Sequence, residues 1–308
     1  MKQFIKYIIL FILPIVVIAL PLEYMMRQVP NPYKYKYEWM ELNARDVETV
    51  VLGSSHAFYG VRPEFLDGKA FNMANVSQDI AHDLYLLKYW GNDYSALRKV
   101  ILPISYFTLF ANLKDGAEEY RCRYYKMYMD SDDYPAISFD NIELGNMKTA
   151  WRKIKKMLKH DDNPGYDEYG WGNVYVLSQK DSVSWNNGSE AAIAVARHDA
   201  DNWGNHIADN CAMLRDMALY CKQRDVRFIL VTTPCWHSYT SALDKEQLKQ
   251  MYQLVCKLKE ELGVEYFDYL NDERFVEEDF FDSNHLSDVG ATKFTRILNN
   301  DIESAAEF

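Results

Sequence analysis

The chain lacks paired cysteines, a surplus of positive charge and any internal repeat, and beyond its N-terminus it has no long hydrophobic run. Its five cysteines (Cys122, Cys211, Cys221, Cys235, Cys256) are odd in number, lie far apart and form no CxxC pair. That pattern points to neither a zinc site nor a disulfide framework, and most of them read as buried apolar fillers. Cys211 and Cys221 fall in one expected helix, too far apart along its axis to bridge, which leaves a bridge to Cys235 or Cys256 open. No second histidine or carboxylate cluster has a ligand spacing, so neither a metal nor another cofactor is expected. With 45 acidic against 34 basic residues the net charge is -11. Phosphate-binding surfaces are basic, so nucleic acid is not an expected partner.

One long apolar run is present, from Phe4 to Leu22. Its length suits a bilayer span. Lys2 and Lys6 favour a cytoplasmic N-terminus and a body outside, although Arg27, Lys34 and Lys36 follow and pull the other way. A cleaved signal peptide is the alternative, but Leu20-Pro21-Leu22-Glu23-Tyr24 is bulky and holds no small-x-small site. The expected organisation is a transmembrane signal-anchor at 1–27 and a tether at 28–40, extended because of Pro30 and Pro32. One domain then fills 41–308. The chain is thus expected to be a single-pass protein of the cell membrane with its domain extracytoplasmic.

Within that domain, Glu48 to Gly53 reads as a buried parallel strand ending in a tight turn. Ala70 to Ala74 is a second strand, Asp79 to Trp90 a helix and Lys99 to Ile104 a third strand. The rhythm breaks at about 111–202, read as an insertion. Inside it Met147, Trp151, Ile154 and Leu158 recur at helical spacing among Lys148, Arg152, Lys155, Lys156 and Lys159, giving a basic amphipathic helix. Such a helix packs on the domain or lies on an anionic surface or polymer. Alternation resumes with a helix from His206 to Arg224, a strand from Arg227 to Thr233, a helix from Asp244 to Leu262 and a strand from Glu265 to Tyr269. A last helix follows Ser287. Five short parallel strands separated by helices predict a three-layer α/β/α sandwich of flavodoxin-like type.

In open parallel sheets functional groups gather beyond the carboxyl ends of the strands, where Gly53-Ser54-Ser55-His56 falls. The glycine permits a tight turn, and a serine opening the next segment exposes its hydroxyl beside backbone N–H groups. For any one serine after a strand, a simple helix cap is the commoner explanation. Near the other end, Asp282 precedes His285 by one helical turn. A histidine that takes a serine proton and a carboxylate that fixes its tautomer are what nucleophilic serine chemistry needs. One Asp and one His are too few ligands for a metal.

Together these ends, strand-Gly-Ser-Ser and Asp282-Ser283-Asn284-His285-Leu286-Ser287, resemble blocks one and five of the SGNH (GDSL-type) hydrolases. The resemblance runs from about residue 48 to 300. It is nearest the anchored extracellular branch typified by the D-alanyl-transfer protein of lipoteichoic acid synthesis and the alginate O-acetylation proteins. It implies Ser55 as nucleophile, His285 as base and Asp282 as orienting acid. Ser54 is set aside because the family places its serine two residues after the glycine. The family's Gly-x-Asn-Asp oxyanion pattern has no clear match, since Gly91-Asn92-Asp93 follows a helix at the wrong end of the sheet. After strand two, Asn75 or Ser77 is placed to donate with the Ser55 N–H to an oxyanion, or simply to cap the next helix. Ser105 and Tyr106 follow strand three, and Trp236 and His237 follow strand four, where they would line the substrate crevice. His56 and His82 read as structural. The turns at Trp171 and Trp203 pack on the core or stack on sugars.

The expected function is O-acyl transfer or ester hydrolysis, with acetyl the expected acyl group, on a cell-surface glycan or polymer. The resemblance further implies a multi-span membrane O-acyltransferase as partner. The alternative is a non-catalytic glycan-binding or scaffolding partner of such an enzyme.

Overall fold

Short runs of β-branched and aliphatic residues, too brief for helices and bounded by turns, build a sheet whose middle strands are sealed from water. The computed structural model describes residues 1–131, 138–159, 163–180, 188–202, 204 and 206–306. In chain order its elements are α1 (Lys2–Gln28), α2 (Pro32–Asn43), β1 (Thr49–Val51), α3 (Ser55–Gly60), β2 (Ala70–Asn72), α4 (Ile80–Tyr89), β3 (Lys99–Pro103), α5 (Cys122–Tyr128), α6 (Met147–Leu158), α7 (Ser189–Arg197), α8 (Ile207–Lys222), β4 (Arg227–Thr232), α9 (His237–Thr240), α10 (Lys245–Leu262), β5 (Glu265–Asp268) and α11 (Asp288–Ala306), joined in places by 3-10 turns. Residues divide into two compact units, Met1–Tyr37 with Tyr120–Pro164, and Glu38–Glu119 with Gly165–Phe308.

The larger unit holds the sheet, in the order β2-β1-β3-β4-β5. Every neighbouring pair is parallel, with Val50 opposite both Phe71 and Val100. Helices cover both sides, so the α/β sandwich expected from the strand-helix rhythm is the fold. Val50, Val51, Leu52, Ile101, Leu102, Ile229, Leu230 and Val231 are fully buried. Each such side chain contributes about 1.5–3 kcal/mol relative to exposure. Asp79 caps α4 by accepting the His82 N–H at 3.0 Å, and Asp244 caps α10 by accepting those of Glu246 and Gln247. Because all strands run one way, their carboxyl ends and the loops after them share one edge.

Two expectations are corrected. The tether is not extended: residues 32–43 form α2. Asn31 Oδ1 accepts the Lys34 N–H at 2.9 Å, and Pro32 sits at the first helical position, where its missing N–H is harmless. The stretch 111–202 is not one block either, since Tyr120–Pro164 groups with the N-terminal residues and the remainder stays with the sheet. None of the five cysteines is joined in a disulfide among the described residues.

In the smaller unit, α1 is long and apolar enough to cross a membrane. Charges meet beyond it: Glu143 is fully buried, with Oε2 3.1 Å from Arg123 Nη2 and Oε1 2.6 Å from Lys153 Nζ. Tyr128 also donates its hydroxyl to Glu143. Glu143→Ala leaves two cations without their anion, and is expected to lower the stability of this unit by about 3–5 kcal/mol in urea unfolding. A loss below about 1 kcal/mol, the size of an exposed pair, would contradict that account.

Candidate active site

At the carboxyl end of β1 the chain turns at Gly53, whose φ of +113° is open to glycine and strained for other residues. A Cβ there would stand 3.2 Å from that of Ala57. Its N–H donates to Asp83 Oδ1 at 2.7 Å, and Ser54 then leads into α3, whose first residue is Ser55. Asn72, the last residue of β2, holds α3 by donating its amide to the carbonyls of Ala57 and Val61. The position of Ser55 is thereby fixed from two neighbouring strands.

Across the crevice, the loop before α11 folds around Asp282. Its Oδ1 accepts the backbone N–H of Asn284 at 3.1 Å and of His285 at 2.8 Å. His285 Nδ1 lies 2.9 and 3.0 Å from the two carboxylate oxygens, and its Nε2 lies 2.9 Å from Ser55 Oγ. With Nδ1 donating to Asp282, Nε2 is the acceptor for the serine hydroxyl. Burial pushes the Asp282 carboxyl up, but the imidazole and the two backbone donors outweigh it and hold it below the usual carboxylate range. A hydroxyl with a proton acceptor, itself oriented by a carboxylate, is the arrangement of an activated nucleophile. The Tyr175 ring lies 5.3 Å from that of His285 and stacks at 4.2 Å on Phe281, while Tyr59 stacks at 4.0 Å on Tyr175.

Behind His285 stands a second, buried histidine. His56 meets the His285 ring edge-on at 5.1 Å. Asn284 Nδ2 donates to His56 Nε2 at 3.0 Å, so Nδ1 carries the proton and donates to Ser105 Oγ at 2.6 Å. Burial, with the adjacent His285 and His198, holds His56 well below the ordinary imidazole range, so it stays neutral. This chain of bonds ties the Asp282–His285 loop to the ends of β1 and β3.

Asp83 supports the turn from below. Its side chain is buried, accepts the Gly53 N–H and a Gln78 amide hydrogen, and its pKa is pushed up to about 7, chiefly by burial. The unfolded value is about 3.9. Between those values the folded state binds a proton that the unfolded chain has released, so this group makes stability fall as pH rises from about 4 to about 7 and adds no slope above. The difference is worth at most about 4 kcal/mol at about 1.4 per unit. Asp83→Asn keeps the acceptor for Gly53 and is expected to flatten this fall in urea midpoints measured at pH 5 and pH 8. An unchanged slope would contradict the assignment.

The other expected site residues separate. Asn75 lies beside the turn, its N–H bonded to Gly53 O at 3.2 Å and its Nδ2 3.3 Å from Gln78 Oε1. Ser77 already gives its hydroxyl hydrogen to Glu118 at 2.6 Å, which takes it out of use as an oxyanion donor in this state. Ser105 is buried, with its hydroxyl oxygen 2.6 Å from His56 Nδ1. Tyr106 is 3% exposed and packs with Ala191, Tyr239, Leu243 and Leu270, its hydroxyl accepting the Asp244 N–H at 3.2 Å. It is a core residue, because its aromatic ring fills the space between α7, α9 and α10. Trp236 is half-buried against Phe280 and donates its N–H to Ser283 O at 2.9 Å, and His237 beside it is exposed. His82 bonds Asp79 at 2.6 Å inside the unit. Trp171 is buried and donates to Tyr59 O at 2.7 Å, and Trp203 lies outside the described residues. Among the described residues, no group of three or more His, Cys, Asp or Glu could hold a metal ion.

Sequence reasoning missed Asn284, Tyr59 and Tyr175 and gave His56 no part in the site. Asn284 had a signal, since it sits inside the Asp282–His285 motif. No family model matches the chain, and no curated protein matches it. Among solved structures it is similar to a GDSL-like lipase from Bacteroides thetaiotaomicron, at 10% identity over 89% of this chain and 99% of that chain with a TM-score of 0.42. It is also similar to a carbohydrate acetylesterase family member from Sinorhizobium meliloti, at 13% identity over 85% of this chain and 100% of that chain with a TM-score of 0.34. At this distance neither likeness assigns a residue or an activity.

Proposed function

We propose that the protein is a membrane-anchored SGNH-type serine esterase or acyltransferase that works through an acyl-enzyme on Ser55. The observation that carries this reading is the continuous contact from Ser55 Oγ through His285 to Asp282, at 2.9 Å and 2.9 Å. Ser55 Oγ attacks the acyl carbonyl while its proton passes to His285 Nε2. The tetrahedral intermediate collapses as His285 returns that proton to the departing alcohol oxygen, leaving the acyl group on Ser55. Water or a sugar hydroxyl then attacks, His285 Nε2 taking its proton and passing it to Ser55 Oγ as the acyl group leaves, which restores both side chains. The Ser55 N–H and Asn75 Nδ2 are the donors for the oxyanion, and the latter's present bond to Gln78, at 3.3 Å, is long enough to exchange readily.

The substrate is a glycan or related polymer of the cell surface and the acyl group is acetyl. Three things support this: α1 is apolar enough to hold the domain at a membrane, Tyr59, Tyr175 and Phe281 stand beside His285, and the sequence resembles the anchored branch of the family. A multi-span O-acyltransferase would supply the acyl group, with tethering raising the effective concentration of each for the other. Incubation of the full chain in detergent with an O-acetylated polysaccharide, followed by NMR of free acetate and of acetyl moved to an unacetylated glycan, tests the reading. Acetate release or transfer by wild type, lost in His285→Ala, is expected. Equal acetate in both would contradict it.

A further inference from the structure

Helix α6 (Met147–Leu158) carries five basic residues and no acidic one, in a chain whose net charge is -11. Its inner side is accounted for, since Thr149 and Ala150 are buried and Lys153 reaches the Glu143 carboxylate. Its outer side is unusual. Met147, Trp151 and Leu158, at i, i+4 and i+11, are 80%, 55% and 73% exposed and form one stripe. Lys148, Arg152, Lys155 and Lys159 form the adjacent exposed stripe, and Lys155 Nζ lies 5.4 Å from the centre of the Trp151 ring. Large apolar groups left in water beside a row of cations are the composition of a helix lying in a membrane interface.

Where α6 stands along α1 turns that composition into a position. The apolar run from Phe4 to Leu22 spans about 28 Å at about 1.5 Å per residue, nearly the whole hydrocarbon core. Immediately beyond it, Glu23 accepts the N–H groups of Glu143 and Leu144 at 2.9 and 3.1 Å, four and three residues before α6 begins. One turn further, the Met26 carbonyl accepts Lys153 Nζ of α6 at 3.2 Å. Those contacts place the approach to α6 and the Lys153 ammonium within about 6 Å, measured along α1, of the end of the apolar run, which is headgroup depth.

We propose that α6 lies in the membrane surface around the anchor, with Met147, Trp151 and Leu158 at the acyl boundary and Lys148, Arg152, Lys155 and Lys159 on anionic phospholipid headgroups. This rests on the reading that α1 spans a membrane. Each cation is expected to raise affinity for an anionic surface about fivefold. The effect is to hold the smaller unit, α1 with α6, at a set height in the membrane surface.

The test uses the full chain in nanodiscs containing a phosphatidylcholine brominated near the headgroup end of its acyl chains, with and without phosphatidylglycerol. Tryptophan fluorescence is compared for wild type, Trp151→Phe and a variant carrying Lys148→Gln, Arg152→Gln, Lys155→Gln and Lys159→Gln. A quenched component present in wild type, absent in Trp151→Phe, enlarged by phosphatidylglycerol and no longer enlarged in the charge variant is the expected result. No component attributable to Trp151, or one of equal size in both discs, overturns the proposal. Crosslinking of a photoreactive residue at position 151 to a polypeptide rather than to lipid in native membranes also overturns it. Alkaline carbonate extraction separates the two failures: a chain removed by the wash is not anchored, whereas a retained chain with unquenched Trp151 refutes the placement of α6 alone.

Discussion

Ser55→Ala is expected to lower turnover of an activated acetyl ester by about 10⁴-fold or more, because it removes the hydroxyl that stands 2.9 Å from His285 Nε2. The fold is expected to survive, since the change removes one half-buried hydroxyl bond, worth about 1 kcal/mol. Rates with p-nitrophenyl acetate and thermal unfolding of the same preparation separate loss of chemistry from loss of structure. A fall of less than tenfold with an unchanged melting temperature would place the nucleophile elsewhere.

Asp282→Asn is expected to cost about 10⁴-fold in kcat with little change in KM. The substitution keeps Oδ1 for the N–H groups of Asn284 and His285, so the loop retains its shape. What changes is the imidazole. An amide oxygen is a weaker acceptor than a carboxylate and an amide nitrogen is a donor, so the ring is free to carry its proton on Nε2, facing Ser55, where a base is required. The same variant loses the anion that stabilises the imidazolium. Measured kcat within tenfold of wild type would mean that Asp282 has only a structural role.

That Ser55, Asp282 and His285 would meet was legible because each position rests on a local signal. A β-branched run ending in glycine marks a strand and a turn, and an acid three residues before a histidine is a single helical turn. The sheet was legible for the same reason, with strand ends within two residues of those expected. Support for the site was not legible, because it comes from register rather than from neighbours in sequence. His56 draws its partners from the loops after β3 and before α11, separated from it by 49 and 228 residues. The parallel order β1-β3-β4-β5 puts the loops that follow β1, β3 and β5 on one edge of the sheet, where they meet. Tyr106 was misplaced because the residue after a strand can face the crevice or the core, and packing against α7 and α10 decides. The helix α2 was missed because Pro30 and Pro32 read as extended chain, although Asn31-Pro32 is also a helix start.

The central claim is that Ser55 is an activated nucleophile. Its most direct test is peptide mass spectrometry of the full chain in detergent after exposure to a fluorophosphonate. A single adduct on Ser55, absent from Ser55→Ala and much slowed in Asp282→Asn, is the predicted result. No adduct on a folded wild-type chain, or an adduct on another residue that persists in Ser55→Ala, would contradict it and shift the weight to a glycan-binding or scaffolding role.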